Sequence, residues 1–253
     1  RRHTRATLFP YTTLFRSDRG MYEAINRGLR RAGGDILAYL NCDEQYLPGA
    51  LASAARYFEA HPDTEVLLAG AIVVDASGRY LCTRLPLVPK RLHSLLSKNL
   101  SCLTCATFFR RSVMERRGIF FDETFRVAGD AEWIVRLIDG GVRMAATPTI
   151  TSVFTDAGDN LGLGRGAAIE AARLRSMAPA WARFAPWIPV GLHRLRRLMA
   201  GHYGRQTPFS YAIYLMDRPE ARSSFRVTRP KFRWRRREAP LVHQRRETDT
   251  GPT

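Results

Sequence analysis

The stretch Ile36–Leu51 reads ILAYLNCDEQYLPGAL. Its first five residues are an apolar run of strand length. The run ends at Asn41 and delivers two adjacent carboxylates, Asp43 and Glu44. Pro48 then stands where a helix starts, because its fixed φ suits the first helical turn and its missing N–H is not needed there. Strand, acidic turn and helix in this order place both carboxylates at the carboxyl end of a strand, the edge of an open α/β sheet where ligands bind. Two carboxylates on one tight turn suit a hard divalent cation such as Mg²⁺ or Mn²⁺, which prefers oxygen ligands and completes its shell from water and phosphate. An acidic turn capping the next helix accounts for the same residues, and spacing alone leaves the two readings level.

Outward from this string the pattern alternates. Asp18–Asp35, DRGMYEAINRGLRRAGGD, repeats apolar residues at helical spacing and predicts a helix over 21–32, stopped by Gly33 and Gly34. GALASAARYFEAH predicts a second helix up to Pro62. Val66–Val74 is an apolar strand, closed by the turn Asp75–Gly78, and Arg79–Arg84 is expected to pair back with it. Residues 86–100 form a Pro-punctuated connection with one short helix. Cys105–Phe109 reads as a strand, Arg111–Arg117 as a short helix ended by Gly118, and Ala131–Asp139 as an apolar helix closed by Gly140 and Gly141. Val142–Phe154 reads as a strand pair broken at Pro148. Strands alternating with helices give a layered α/β domain. Beyond it, Ala167–Phe184 and Val190–Met199 read as helices, and from Arg218 the chain is Arg-rich and Pro-broken, with fraying expected after Leu241.

A second acidic string is FDETFRVAGDAEWIVRL, Phe121–Leu137. Asp130 precedes the apolar helix, so it serves either as an N-cap or as a general base. Trp133 reads as a core residue, Arg136 as a partner of Asp139, and His61 and His93 as surface histidines.

Taken in order, these strings resemble family 2 inverting glycosyltransferases of the GT-A fold. In that family a strand ends in N-x-D-D followed by an aromatic residue and a proline, and Asn41, Asp43, Glu44, Tyr46 and Pro48 match that layout. The segment from Asp18 matches the family's D-x-G, Tyr, Ala, Asn and Gly pattern. CATFFRRSVMERRG, Cys105–Gly118, resembles the strand and helix before the base loop, and F-D-E-x-F followed by two acids one residue apart matches Asp130 and Glu132. The resemblance implies a metal-assisted transfer of sugar from a nucleotide-sugar donor to an acceptor hydroxyl of a glycan or lipid-linked acceptor, in surface polysaccharide or glycan assembly. By carry-over, Asp130 is the catalytic base and Glu132 orients it or the acceptor. Asp18, Asn41, Asp43 and Glu44 bind donor, and Asp43 and Glu44 hold Mg²⁺ or Mn²⁺. Glu44 departs from the family's usual Asp, which affects metal geometry. Asp156 and Asn160, in TSVFTDAGDN, fall where the family contacts the donor diphosphate.

Thr7–Ser17, TLFPYTTLFRS, resembles a translated sequencing adapter, and residues 1–17 are therefore expected to be a non-native leader. The expected organisation is this leader, a partial GT-A domain over 18–164 lacking its first strands, a helical basic extension over 165–216 and a basic, partly disordered tail over 217–253. A domain without its nucleotide-binding front is expected to have little activity and an exposed, aggregation-prone sheet edge.

The formal net charge is +17 and most of the excess lies beyond residue 164. Arg226–Arg237, interleaved with Phe225, Phe232 and Trp234, and the Arg/Leu-rich segment 190–199 suit an anionic partner. Peripheral contact with the inner face of a membrane from a cytoplasmic location is the expectation. A membrane- or nucleic-acid-binding module without catalysis is the alternative, with nucleic acid disfavoured because the carboxylate motifs would be idle. The apolar runs are too short for a membrane span. The four cysteines are expected to be reduced thiols. Cys102-x-x-Cys105 has no second pair with which to complete a zinc site.

Overall fold

The computed structural model describes residues 18–97, 99–156, 165–204 and 207–232. Helix α1 (Met21–Arg31) leads to a two-residue strand β1 (Ile36–Leu37), and β2 (Gln45–Tyr46) precedes α2 (Ala50–Ala60). Strand β3 (Val66–Asp75) turns back into β4 (Tyr80–Arg84), and α3 (Arg91–Leu96) follows. After a single 3₁₀ turn come β5 (Thr107–Arg110), α4 (Ser112–Glu115), α5 (Gly129–Asp139) and the long β6 (Met144–Asp156). Helices α6 (Arg165–Ser176), α7 (Ala180–Phe184) and α8 (Trp187–Met199) and strands β7 (Phe209–Leu215) and β8 (Arg218–Val227) complete the described chain.

The main sheet runs β1-β5-β3-β6-β2, and β4 pairs with the second half of β3. β3 lies parallel to β6 along its length and antiparallel to β4 and β5. Its residues are buried from Val66 to Val74, as a central strand covered on both faces requires. Side-chain alternation divides the core. Val66 and Leu68 pack with Tyr22, Leu29, Phe109, Trp133 and Leu174 under α1, α5 and α6. Leu67, Ala69 and Ala71 pack with Phe58 and Ala54 of α2 on the other face. Ile72 and Val74 meet Tyr211, Ile213 and Val227 of the β7–β8 hairpin.

The layered mixed α/β architecture is the one expected, a sheet that fits part of a GT-A fold. Four local readings change. The Asp35–Leu40 run is a strand over only two residues, because among the described residues β1 has one neighbour, β5. Val142–Phe154 is one strand, not a pair. Pro148, which has no N–H to donate, sits where the β3–β6 register shifts, between the pairs Leu68–Ala146 and Gly70–Ile150. A Cβ on Gly70 would lie 3.2 Å from the carbonyl oxygens of Pro148 and Thr149. Cys105 and Ala106 belong to the 3₁₀ turn, and the strand starts at Thr107. Finally, the expected boundary between residues 216 and 217 falls in the turn of the β7–β8 hairpin, whose inward Tyr211 and Ile213 are buried on β3 and β6. Residues 1–17, 157–164 and 233–253, with the readings placed on Asn160 and Trp234, lie outside the described residues. No helix among the described residues is long and apolar enough to cross a membrane.

Candidate active site

The acidic turn is closed upon itself. The Asn41 N–H donates to Glu44 Oε2 at 2.8 Å, and the Glu44 N–H donates to the Asn41 carbonyl at 3.1 Å. Thr155 Oγ1 donates to the Asp43 carbonyl at 2.6 Å, tying the turn to the end of β6. The Glu44 side chain is 6 % exposed. Burial is the main reason its carboxyl is pushed up to about 7; the Asn41 N–H opposes the shift, and the charges of Asp43 and Asp130 add to it. The charge of Asp130 thus bears on Glu44 although 86 positions separate them in the chain.

Asp130 lies inside the first turn of α5, after the N-cap residue Ala128, so it is not the N-cap residue anticipated from sequence. Its Oδ1 accepts from the Ala131 N–H at 2.8 Å. Dense packing around it raises its carboxyl to about 6, the backbone donors pull it down, and Glu170 pushes it further up. Its backbone is placed by α1. The Asp130 N–H donates to the Tyr22 hydroxyl, which donates to the Val127 carbonyl, each at 3.1 Å. Tyr22 also stacks on Phe121 with centroids 5.5 Å apart. Asn26 clamps the preceding loop. Its Nδ2 donates to the Phe121 carbonyl at 2.8 Å and to Glu123 Oε1 at 2.9 Å, and its Oδ1 accepts from the Phe121 N–H at 2.9 Å. Gly129 lets this happen, since a Cβ there would meet the Tyr22 ring at 2.6 Å. The upstream helix thus acts as the strut that sets the second carboxylate.

Residues to which the sequence assigns no role complete the surroundings. Glu170 of α6 accepts from the N–H groups of Arg126, Val127 and Ala128 at 2.6, 2.9 and 2.7 Å. Tyr39 packs edge-on to Phe121, and its buried phenol is pushed well above the usual range by burial and by the Asp130 charge. Tyr22 lies within the motif that starts at Asp18, a signal that could have singled it out; Glu170 carries no such signal. An apolar groove of about 380 Å³ runs between α1 and Ala38–Asn41, and Asn41 connects its rim to the acidic turn.

The other residues singled out from sequence stand elsewhere. Glu132 is 5 % exposed and pairs with Arg136, which also donates to the Phe120 carbonyl. Two positions from Asp130 on a helix, it points away from that residue. Arg136 therefore does not pair with Asp139, whose partner is Arg91 at 2.8 Å. Asp18 pairs with Arg27 Nη1 at 2.8 Å ahead of α1. Trp133 is core, stacked on Phe121 at 4.6 Å. His61 is exposed, as anticipated, but His93 is buried. Cys102 and Cys105 are buried free thiols, and burial raises the Cys102 thiol to about 12. Among the described residues no group of three or more His, Cys, Asp or Glu converges as a metal cluster. The acidic turn offers two carboxylates.

Comparison with known proteins matches residues 8–118 to the family described as glycosyl transferase family 2. This segment belongs to glycosyl transferase family 2. The chain is 33 % identical over 98 residues to the amylovoran biosynthesis glycosyltransferase AmsE of Erwinia amylovora, a match covering 38 % of this chain and 36 % of that protein. The chain thus spans about a third of the length of this curated relative. The structure of S. aureus TarS 1-349 in complex with UDP-GlcNAc aligns at 19 % identity and a TM-score of 0.44, covering 62 % of this chain and 46 % of that one. The complex of TarS 1-349 with UDP aligns at 18 % identity and a TM-score of 0.42, covering 62 % and 44 %.

Proposed function

We propose that an enzyme carrying this segment transfers a sugar from a nucleotide-sugar donor to an acceptor hydroxyl, with inversion at the anomeric carbon. The observation that supports this reading is that Glu44 and Asp130, from the family segment and its continuation, each have a carboxyl shifted towards neutral pH, with the Asp130 charge bearing on Glu44. Asp130, with its proton affinity near 6, is the general base: it accepts the proton of the acceptor hydroxyl as that oxygen attacks. Glu132 acts as a positioning residue, holding α5 to the Phe120 carbonyl through Arg136. Asn41 orders the acidic turn. Asp43 and Glu44 are oxygen donors that fit Mg²⁺ or Mn²⁺, and a cation there would offset the cost of ionising the buried Glu44. Such an ion, when bound, neutralises charge developing on the leaving diphosphate. Asp18 supports α1 through Arg27.

The test is Asp130→Asn and Glu44→Gln in an active form carrying this segment, assayed with a nucleotide sugar and with Mg²⁺ or Mn²⁺ varied. Unchanged transfer removes the residue from the mechanism.

The acceptor is proposed to be a glycan or a lipid-linked molecule in surface polysaccharide or glycan assembly, in keeping with the biosynthetic role named for AmsE. A second observation favours peripheral contact with the inner face of a membrane. Trp181, Phe184, Trp187, Leu192, Leu195, Leu198 and Met199 are exposed along α7 and α8, beside exposed Arg183 and Arg194. Aromatic and leucine side chains interleaved with arginine suit a lipid interface. Flotation with anionic liposomes is expected, and a shift of duplex DNA without flotation would favour the nucleic-acid alternative.

A further inference from the structure

Helix α8 is arranged with its polar side towards the protein. Its buried residues are Pro189, His193 and Arg197, whereas its leucines and Trp187 are exposed. It packs against α3, whose His93 is 4 % exposed. The rings of His93 and His193 stack with centroids 3.7 Å apart and planes inclined by 20°. Burial first, and then Arg196, Arg197 and Arg84, hold His93 at about 4. Burial first, then His93 itself, and then Arg197, Arg196 and Arg84 hold His193 at about 3. The histidines are thus neutral, and the charge of the cluster is that of its arginines.

Helices α3 and α8 carry buried polar atoms without a partner: His93 Nδ1, His193 Nδ1, Ser94 Oγ, Arg196 Nη1 and Arg197 Nε. Hydroxyls and guanidinium nitrogens donate, and each imidazole can donate through one nitrogen. Buried donors require acceptors, and those on cations require them most. Part of the set is already engaged: Arg196 Nη2 donates to the Val88 carbonyl, Arg84 Nη2 to the Leu100 carbonyl, and the Arg197 guanidinium lies over Tyr203. A metal cation is disfavoured by the same arginines, whereas a tetrahedral oxyanion brings both acceptors and negative charge.

We propose that the interface of α3 and α8 is a phosphate-binding site, in which Arg196, Arg197, His93 and His193, with the hydroxyl of Ser94, take a phosphate or diphosphate group. The charges of Arg84 and Asp130 both bear on the Cys102 thiol. The group is a phosphate of the nucleotide donor or of a lipid-linked acceptor. Its role in sugar transfer rests on the reading of Asp130 given above, but phosphate binding itself does not.

The experiment titrates the 253-residue chain with inorganic phosphate at constant ionic strength, with chloride as control, following melting temperature and the imidazole resonances of His93 and His193. A saturable rise in melting temperature with shifts of both rings is expected. Arg196→Gln and Arg197→Gln should weaken binding at least about tenfold, as loss of a charge-assisted contact implies. The exposed Arg183→Gln and Arg194→Gln should bind as the unaltered chain does, and so should Asp130→Asn and Glu44→Gln, which separates this site from the catalytic reading. Competition by UDP assigns the site to the donor; competition by dihexanoyl phosphatidic acid assigns it to a lipid phosphate. No saturable response, an unshifted pair of rings at high phosphate, or equal loss in Arg194→Gln overturns the proposal. The ring resonances of the unaltered chain decide the matter even where an arginine variant does not fold.

Discussion

Two clusters of ionisable side chains contrast, and the Cys102 thiol feels a charge associated with each, Asp130 and Arg84. In the first, burial lifts Glu44 to about 7 and Asp130 to about 6. In the second, burial lowers His93 to about 4 and His193 to about 3. The cause is the same in both, since a poorly solvated site disfavours whichever form is charged. The difference lies in what would relieve the cost. The acids gain from a cation and the arginine-flanked imidazoles from an anion, and a nucleotide sugar with its metal presents both kinds of charge. The supports differ too. The acidic cluster is tightly strutted by Tyr22, Asn26 and Glu170, whereas the basic one retains unmatched donors.

The largest expected effect tests whether only the acidic cluster performs chemistry. Asp130→Asn should lower sugar transfer by about 10²–10⁴-fold, the usual worth of a general base, with donor binding measured separately by calorimetry. Next comes the contrast in supports. Asn26→Ala leaves the buried Phe121 amide groups unmatched and should cost roughly 1–3 kcal/mol in urea unfolding. Ser94→Ala in phosphate-free buffer should stay within about 0.5 kcal/mol. Equal losses would erase the distinction.

The clusters should also respond oppositely to pH. Between the ordinary carboxylate range and about pH 6, the native state holds the Asp130 proton that the unfolded chain has released, so stability falls as pH rises. Asp130→Asn should therefore raise the melting temperature above about pH 6, by about 2–4 °C for each kcal/mol recovered, and have less effect below about pH 4. His193 is the reverse. Below its ordinary range the unfolded chain binds protons that the native state refuses, so stability falls as pH drops towards about 3. His193→Asn should flatten that acid limb, as followed by circular dichroism. A modest effect is expected of Glu170→Gln, about 0.5–1 kcal/mol, because the acceptor remains and only its charge is lost.

The parts legible in sequence were those governed by local periodicity or by adjacent residues. Helices α1, α2 and α5, strand β3 with its return β4, and the Asp43–Glu44 turn all follow from spacing within a few residues. What escaped depended on distant partners. His93 looks solitary because the ring that stacks on it is His193, 100 positions later. Pro148 looks like a break because the shift in register that tolerates it is shared with Gly70. The β7–β8 hairpin is obscured by the arginines of its second strand, while Tyr211 and Ile213 reveal their inward direction only once β3 is in place. Tyr22 and Asn26 lie in view, but what they do, fixing the loop before Asp130, requires contacts with residues 105 and 95 positions away.

Glu170 bears on how the protein can be dissected. A boundary after residue 164 looks natural, because it keeps Asp43, Glu44 and Asp130 and discards a basic appendage. Yet the carboxylate of Glu170, beyond that cut, receives the amides of Arg126, Val127 and Ala128, and Leu174 fills the core beside Trp133. A piece ending at 164 would carry the whole acidic constellation and lose the clasp that shapes the approach to Asp130. The smallest autonomous unit around this carboxylate therefore extends through α6, and gene-fusion or chimera junctions belong after Ala178.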